Sequence, residues 1–327
     1  MKTLATEELI DGILSGNKRL LAKAITLVES KKPEHKVQAE ELLKKILPHT
    51  GKSIRIGITG VPGAGKSTFI ERFGQLALHK GKKVAVLAID PSSSVNKGSV
   101  LGDKTRMEDL AREQDAFIRP SPSSGFLGGI ANTTFETMLI CEAAGYDFIL
   151  IETVGVGQSE VLVSDITDVF LMLKIVGGGD ELQGIKRGIM EMVDVIFINK
   201  VEEDNVLKAK NTKVELMRAL HFLPSREAGW KIPVLLGSAL HNKGLEDVYA
   251  KIDDFIQLKV NNNTFQQTRQ LQAGKRFDYW VQEYILQKTR EERSTEQYFQ
   301  QHKENATELQ GNPSSEAKMF VEKLLGK

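Results

Sequence analysis

Gly60-Val61-Pro62-Gly63-Ala64-Gly65-Lys66-Ser67-Thr68 decides how the rest of the 327-residue chain is read. An apolar, β-rich run, Ile54–Thr59, leads into it, and a helical pattern from Ser67 to Leu78 leads out of it. Strand, glycine-rich loop ending in Lys-Ser/Thr, then helix is the context that confirms a phosphate-binding P-loop. The glycines let successive backbone N–H groups turn inward around a phosphate, and the helix N-terminus adds its partial positive charge. Gly60 through Thr68 are therefore expected to bind nucleotide. Lys66 would reach the β- and γ-phosphates, and the Ser67 hydroxyl would coordinate Mg²⁺.

Outward from this loop, short β-rich runs alternate with helical segments. They are Lys83 to Ile89, Phe148 to Ile151, Val169 to Ile175, Val195 to Ile198 and Val234 to Leu236. Apolar runs of that length, separated by helices, predict buried strands of a mostly parallel sheet. The expected fold is α/β: a P-loop NTPase with a central sheet flanked by helices, plus helical extensions at both ends. Residues 1–50 read as an N-terminal helical extension, 51–260 as the nucleotide-binding domain, and 261–327 as a C-terminal helical segment. Phe277, Trp280, Val281, Tyr284 and Ile285 mark one face of that last segment.

With 44 basic and 43 acidic residues, the chain has a net charge of +1, which argues against a general nucleic-acid surface. The single cysteine, Cys141, excludes an intrachain disulfide and fits a reducing compartment. No run approaches the length of a transmembrane helix, and the N-terminus turns acidic before any apolar stretch. A cytoplasmic protein without membrane association is expected. The six histidines are scattered without metal-ligand spacing, and Cys141 reads as packing.

Further candidates follow, most of them at the ends of strands, where an α/β sheet lines its ligand crevice. Asp90 closes Lys83–Ile89 and is placed to face the nucleotide's metal; its plainer reading is a helix N-cap or turn aspartate. Asp103 is a metal ligand, a water-orienting residue or a helix N-cap. Glu152-Thr153-Val154-Gly155 follows Phe148–Ile151; the carboxylate can hold a metal-bound water, and the Gly155 N–H can sense the γ-phosphate. Val156, not a glutamine, follows Gly155, and Gln158 is displaced, so slow intrinsic hydrolysis that depends on a partner or on dimerisation is expected. Asn199-Lys200-Val201-Glu202 has the form of a guanine-reading motif. A carboxylate there accepts from the guanine N1–H and N2–H, which adenine does not present. Glu202 is one methylene longer than the usual aspartate. Ser238-Ala239-Leu240 matches the second guanine-side motif, whose backbone N–H meets the guanine O6.

These stretches, with Leu101-Gly102-Asp103-Lys104-Thr105-Arg106 and Gly179-Asp180-Glu181-Leu182-Gln183-Gly184-Ile185-Lys186-Arg187-Gly188, resemble the MeaB/ArgK-like GTPases, the methylmalonyl-CoA mutase-associated group. The resemblance spans most of the chain and implies GTP/GDP and Mg²⁺ as ligands. It also implies slow GTP hydrolysis that helps load and protect an adenosylcobalamin-dependent acyl-CoA mutase. By the same resemblance, Lys66, Ser67, Asp90, Asp103 and Glu152 surround the phosphates and metal, segment 177–188 is a switch that meets the mutase, and the C-terminal helices make a homodimer. Two other readings stand beside it: a P-loop ATPase or kinase linked to amino-acid transport, and a metallochaperone GTPase. The guanine motifs count against the first, and the lack of a His-rich tail counts against the second.

Overall fold

Side chains that alternate along each apolar run give every strand two buried faces, and the helices between runs are what cover them. The computed structural model describes residues 4–30, 32–89, 107–121, 127–153, 159–176, 187–223, 225–291, 293–307 and 312–324. The strands are β1 Ile54–Gly60, β2 Val84–Ile89, β3 Ala116–Ser121, β4 Phe148–Glu152, β5 Val169–Ile175, β6 Val195–Asn199 and β7 Val234–Leu236. They form one seven-stranded sheet in the order β3-β2-β4-β1-β5-β6-β7, and every pairing is parallel.

The helices are α1 Thr6–Leu14, α2 Lys18–Val28, α3 Pro33–Ile46, α4 Lys66–His79, α5 Glu108–Arg112, α6 Leu127–Ala143 and α7 Ser159–Ser164. After a single turn, α8 Arg187–Met190, come α9 Val206–Leu220, α10 Leu245–Asn261, α11 Thr264–Glu291, α12 Arg293–Thr307 and α13 Pro313–Leu324.

Six of the seven strands coincide with the runs read from sequence. β3, Ala116-Phe117-Ile118-Arg119-Pro120-Ser121, does not carry the pattern, because Arg119 and Pro120 interrupt its apolar run, which its place at one edge of the sheet permits. An edge tolerates a proline and a charged residue that a central strand would not. Arg119 uses its position to reach Thr26 on α2 and Glu29 just past its C-terminal end.

The core divides by strand parity. Ile56, Ile58, Val86, Leu150, Leu171 and Phe197 point to the side covered by α4, α5 and α10. Leu87, Ile149, Ile151, Phe170, Met172 and Ile196 point to the other side, with α6. Leu9, Ile13, Leu21, Ile25, Leu42 and Ile46 of α1–α3 belong to that second cluster, so the N-terminal helices share the core of the sheet.

The chain divides into two units, Met1–Arg269 and Gln270–Lys327. In the second, α12 and α13 are held together by Tyr298, Phe299, His302 and Phe320, with ring centroids 4.4–6.3 Å apart.

Candidate functional site

β1 sits at the centre of the sheet with β4 on one side and β5 on the other, and the loop leaving its C-terminal end lies over the point where the strand order reverses. That is where open parallel sheets bind ligands. The local geometry demands glycine. Gly60 has φ 152°, and a Cβ there would stand 2.5 Å from the Leu173 carbonyl oxygen. Gly65, the N-cap of α4, has φ 87°, and a Cβ would come 2.6 Å from Asn199 Nδ2. Any other residue at either position would have to displace the neighbouring strand or loop.

Lys66 opens α4 and is buried, its Nζ donating to the Gly60 carbonyl at 2.9 Å. Burial lowers its pKa, and the Glu152 and Glu160 carboxylates act in the opposite direction. The ammonium is thus held over the loop that would cradle phosphates. Beside it the Ser67 hydroxyl donates to Glu152 Oε1 at 3.3 Å. Register explains the meeting: Glu152 ends β4 opposite Ile58 of β1, two residues before the loop begins. A hydroxyl next to a carboxylate is the hard-oxygen donor set that suits Mg²⁺, so these residues fit the metal expected from sequence. Of the other expected phosphate and metal residues, Asp90, Asp103 and Gly155 lie outside the described residues, as do Val156, Gln158 and residues 177–186.

Asn199 does the most to assemble the base side. Its Nδ2 donates to the Ala64 carbonyl at 2.9 Å, and its Oδ1 accepts the Ala239 N–H at 2.8 Å. A single buried amide therefore ties the phosphate loop to the Ser238-Ala239-Leu240 loop. It also engages the Ala239 N–H, so the backbone donor of that segment without a partner among the described residues is Leu240. The Ser238 hydroxyl is buried and has no hydrogen-bond partner among the described residues. Lys200 adopts φ 58°, and its Cε lies 3.8 Å from the point a Gly65 Cβ would occupy, so its stem runs over the loop.

Two residues passed over in the sequence complete this side. Asn205 closes the turn after Lys200, accepting the Glu202 N–H at 3.0 Å and donating to the Lys200 carbonyl at 2.9 Å. An Asx residue three positions after the acid was a legible sign of such a closure. His241, whose Nε2 lies 3.8 Å from Glu202 Oε1, had no sequence signal, because only the fold brings the two loops together. A third residue, Glu160 at the start of α7, is buried and close enough for its charge to act on Lys66.

Comparison with known proteins gives a consistent result. The family model described as "Methylmalonyl Co-A mutase-associated GTPase MeaB" matches residues 21–294. The chain is 46% identical to the GTPase ArgK of Escherichia coli (strain K12), over 90% of this chain and 89% of that one. It is 43% identical to the mitochondrial methylmalonic aciduria type A homolog of Mus musculus, over 86% of this chain and 70% of that one. Among solved structures it is similar to a LAO/AO transport system kinase, with a TM-score of 0.78 at 36% identity, covering 99% of this chain and all of that one.

Proposed function

The chain belongs to the MeaB family of methylmalonyl-CoA mutase-associated GTPases, and from that premise we propose that it is a GTP-hydrolysing chaperone of an adenosylcobalamin-dependent acyl-CoA mutase. It binds GTP, hydrolyses it slowly to GDP and phosphate when alone, and turns over faster with the mutase, whose cofactor loading it assists. The observation that carries the nucleotide assignment is the double hydrogen bond of Asn199. It fixes the phosphate loop and the base-side loop in one rigid arrangement, with Lys200 and Glu202 following directly.

In this reading Lys66 leaves the Gly60 carbonyl for the β- and γ-phosphates and, with the loop amides, offsets the charge that develops as water attacks the γ-phosphorus in line. Ser67 and Glu152, joined by Asp90 and Asp103, would hold Mg²⁺, which supplies charge neutralisation on the phosphates when bound. Asp103 or Glu152 orients the attacking water, and the Gly155 N–H senses the γ-phosphate. Glu202 accepts from the guanine N1–H and N2–H, and the Leu240 N–H is the donor for O6. The exposed stripe Phe277, Val281, Tyr284 and Ile285 on α11 supports a homodimer formed through the C-terminal helices.

The test is steady-state hydrolysis of GTP and ATP by the purified protein, alone and with an adenosylcobalamin-dependent acyl-CoA mutase. Slow GTP turnover accelerated by the mutase, with ATP ignored, is the expected result. Equal use of both nucleotides would overturn the base assignment and favour a kinase or ATPase role such as the solved relative's name suggests.

A further inference from the structure

α9 leaves the base-side loop at Asn205 and buries only Ala209 and Leu216. Its outer surface is unusual for a solvated helix. Leu207 is 74% exposed and Met217 52%, Val214 lies between them at helical spacing, and Phe222, just past the C-terminal end, is 83% exposed. Isolated exposed apolar residues need no explanation, but Met217 also lines a pocket of about 370 Å³, and Phe222 lies in sequence between its lining residues His221 and Leu223. Met217, Leu220, His221, Leu223, Trp230 and Ile232 line it. One wall is rigid: the Trp230 indole N–H donates to the Asp194 carbonyl at 2.8 Å, and its ring packs on Phe255 at 4.9 Å.

The charges of this helix are one-sided. Lys208, Lys210, Lys213 and Arg218 on α9, with Lys231 at the pocket, stand against a single acid on the helix, Glu215. The acids Glu203 and Asp204 precede the helix, roughly 20 Å from Met217 at 1.5 Å per residue.

We propose that the α9 groove, centred on Met217, Phe222 and the Trp230-walled pocket, docks an acidic amphipathic helix of the mutase, with a bulky apolar side chain inserted in the pocket. This rests on the chaperone reading above and adds where the partner sits and what chemistry it presents. A second copy of this chain is a poorer fit, because a two-fold contact through this face would set its lysines against themselves. An anionic membrane is also a poorer fit, because a walled concavity suits one inserted side chain better than a planar surface does. The groove lies on the helix that begins at the base-side loop, so the docked segment is one helix away from the nucleotide.

The experiment measures mutase binding by titration calorimetry with the full-length protein, a non-hydrolysable GTP analogue and an adenosylcobalamin-dependent acyl-CoA mutase. It compares wild type with Phe222→Ser, Met217→Glu and Arg218→Glu. These positions are exposed and touch no nucleotide-site residue, so basal GTP turnover and the melting temperature report intact folding. Affinity at least tenfold weaker in each variant, and wild-type affinity that falls as salt is raised, are the expected results. Unchanged affinity in folded variants, with the wild type binding normally, overturns this inference alone. No binding by the wild type overturns the chaperone reading as well. A smaller particle by light scattering in the variants, or loss of binding to phosphatidylserine vesicles while mutase binding persists, would reassign the groove to self-association or to a membrane.

Discussion

At the scale of single residues, the site depends on groups whose polar atoms are committed in two directions. Lys66 is held by a carbonyl of the loop it serves, so its ammonium is already dehydrated and positioned. Lys66→Ala is expected to weaken GTP binding at least tenfold and to abolish turnover, as read by fluorescence titration with a labelled nucleotide and by phosphate release. Unchanged affinity and turnover would sink the assignment. Asn199→Ala removes both bonds of the bridging amide and leaves the Ala64 carbonyl and Ala239 N–H without partners in a buried place. An unsatisfied buried group costs about 1–3 kcal/mol, so this variant should lose stability in denaturant unfolding as well as nucleotide affinity. A loss of affinity with wild-type stability would mean that the amide contacts only ligand.

At the scale of elements, buried ion pairs hold the end of the sheet remote from the nucleotide. Arg55 of β1 pairs with Glu142 of α6 at 2.8 Å, and Glu142 also accepts the Gly51 N–H. Arg269, in the first turns of α11, makes a bidentate pair with Asp168 and donates to the Gly51 and Ser53 carbonyls. The nearly dry carboxylate of Asp168 also makes this contact costly to break. Removing one partner of a buried pair leaves an uncompensated charge and costs about 3–5 kcal/mol. Arg269→Ala should therefore lower the unfolding midpoint sharply while leaving the nucleotide affinity of the remaining folded fraction close to wild type. A shift within the range of a surface substitution would show that the pair is solvated.

At the scale of the whole molecule, Asp194, just before β6, makes stability depend on pH. Burial pushes its carboxyl up to about 6 from 3.8, against the pull of Arg226 and the Phe170 N–H. Because the folded-state value lies above the unfolded one, the charged form is disfavoured in the fold, and that cost is present above about pH 6. It is relieved as the pH falls from 6 towards 4, so this group makes the protein more stable at pH 5 than at pH 7. Urea midpoints at the two pH values should show the difference, and Asp194→Asn should flatten it; a wild-type midpoint higher at pH 7 would contradict the account. The division of the chain after Arg269 also says where to cut. Removing residues 270–327 spares the Arg269–Asp168 pair and should give a folded, nucleotide-binding monomer by light scattering. A dimer that survives the deletion would place the interface elsewhere.

The sequence by itself determined the α/β class, the central strands and the phosphate loop. Each rests on local chemistry: apolar runs that must be buried, glycines that alone tolerate the backbone at Gly60 and Gly65, and a lysine and a hydroxyl at the start of a helix. It also determined Asn199 and Glu202 as base-side candidates, because their motif is contiguous. Only the tertiary structure decided that Asn199 bridges Ala64 and Ala239, that His241 stands by Glu202, and that Arg269 closes on Asp168. Those partners lie 135, 40 and 101 positions apart for Ala64–Asn199, Asn199–Ala239 and Asp168–Arg269, so no local pattern could announce them. The edge strand β3 and the sharing of the core by α1–α3 were hidden for a related reason. An edge is free of the sequence constraints that mark a central strand, and an amphipathic helix shows that it will be covered without showing by what.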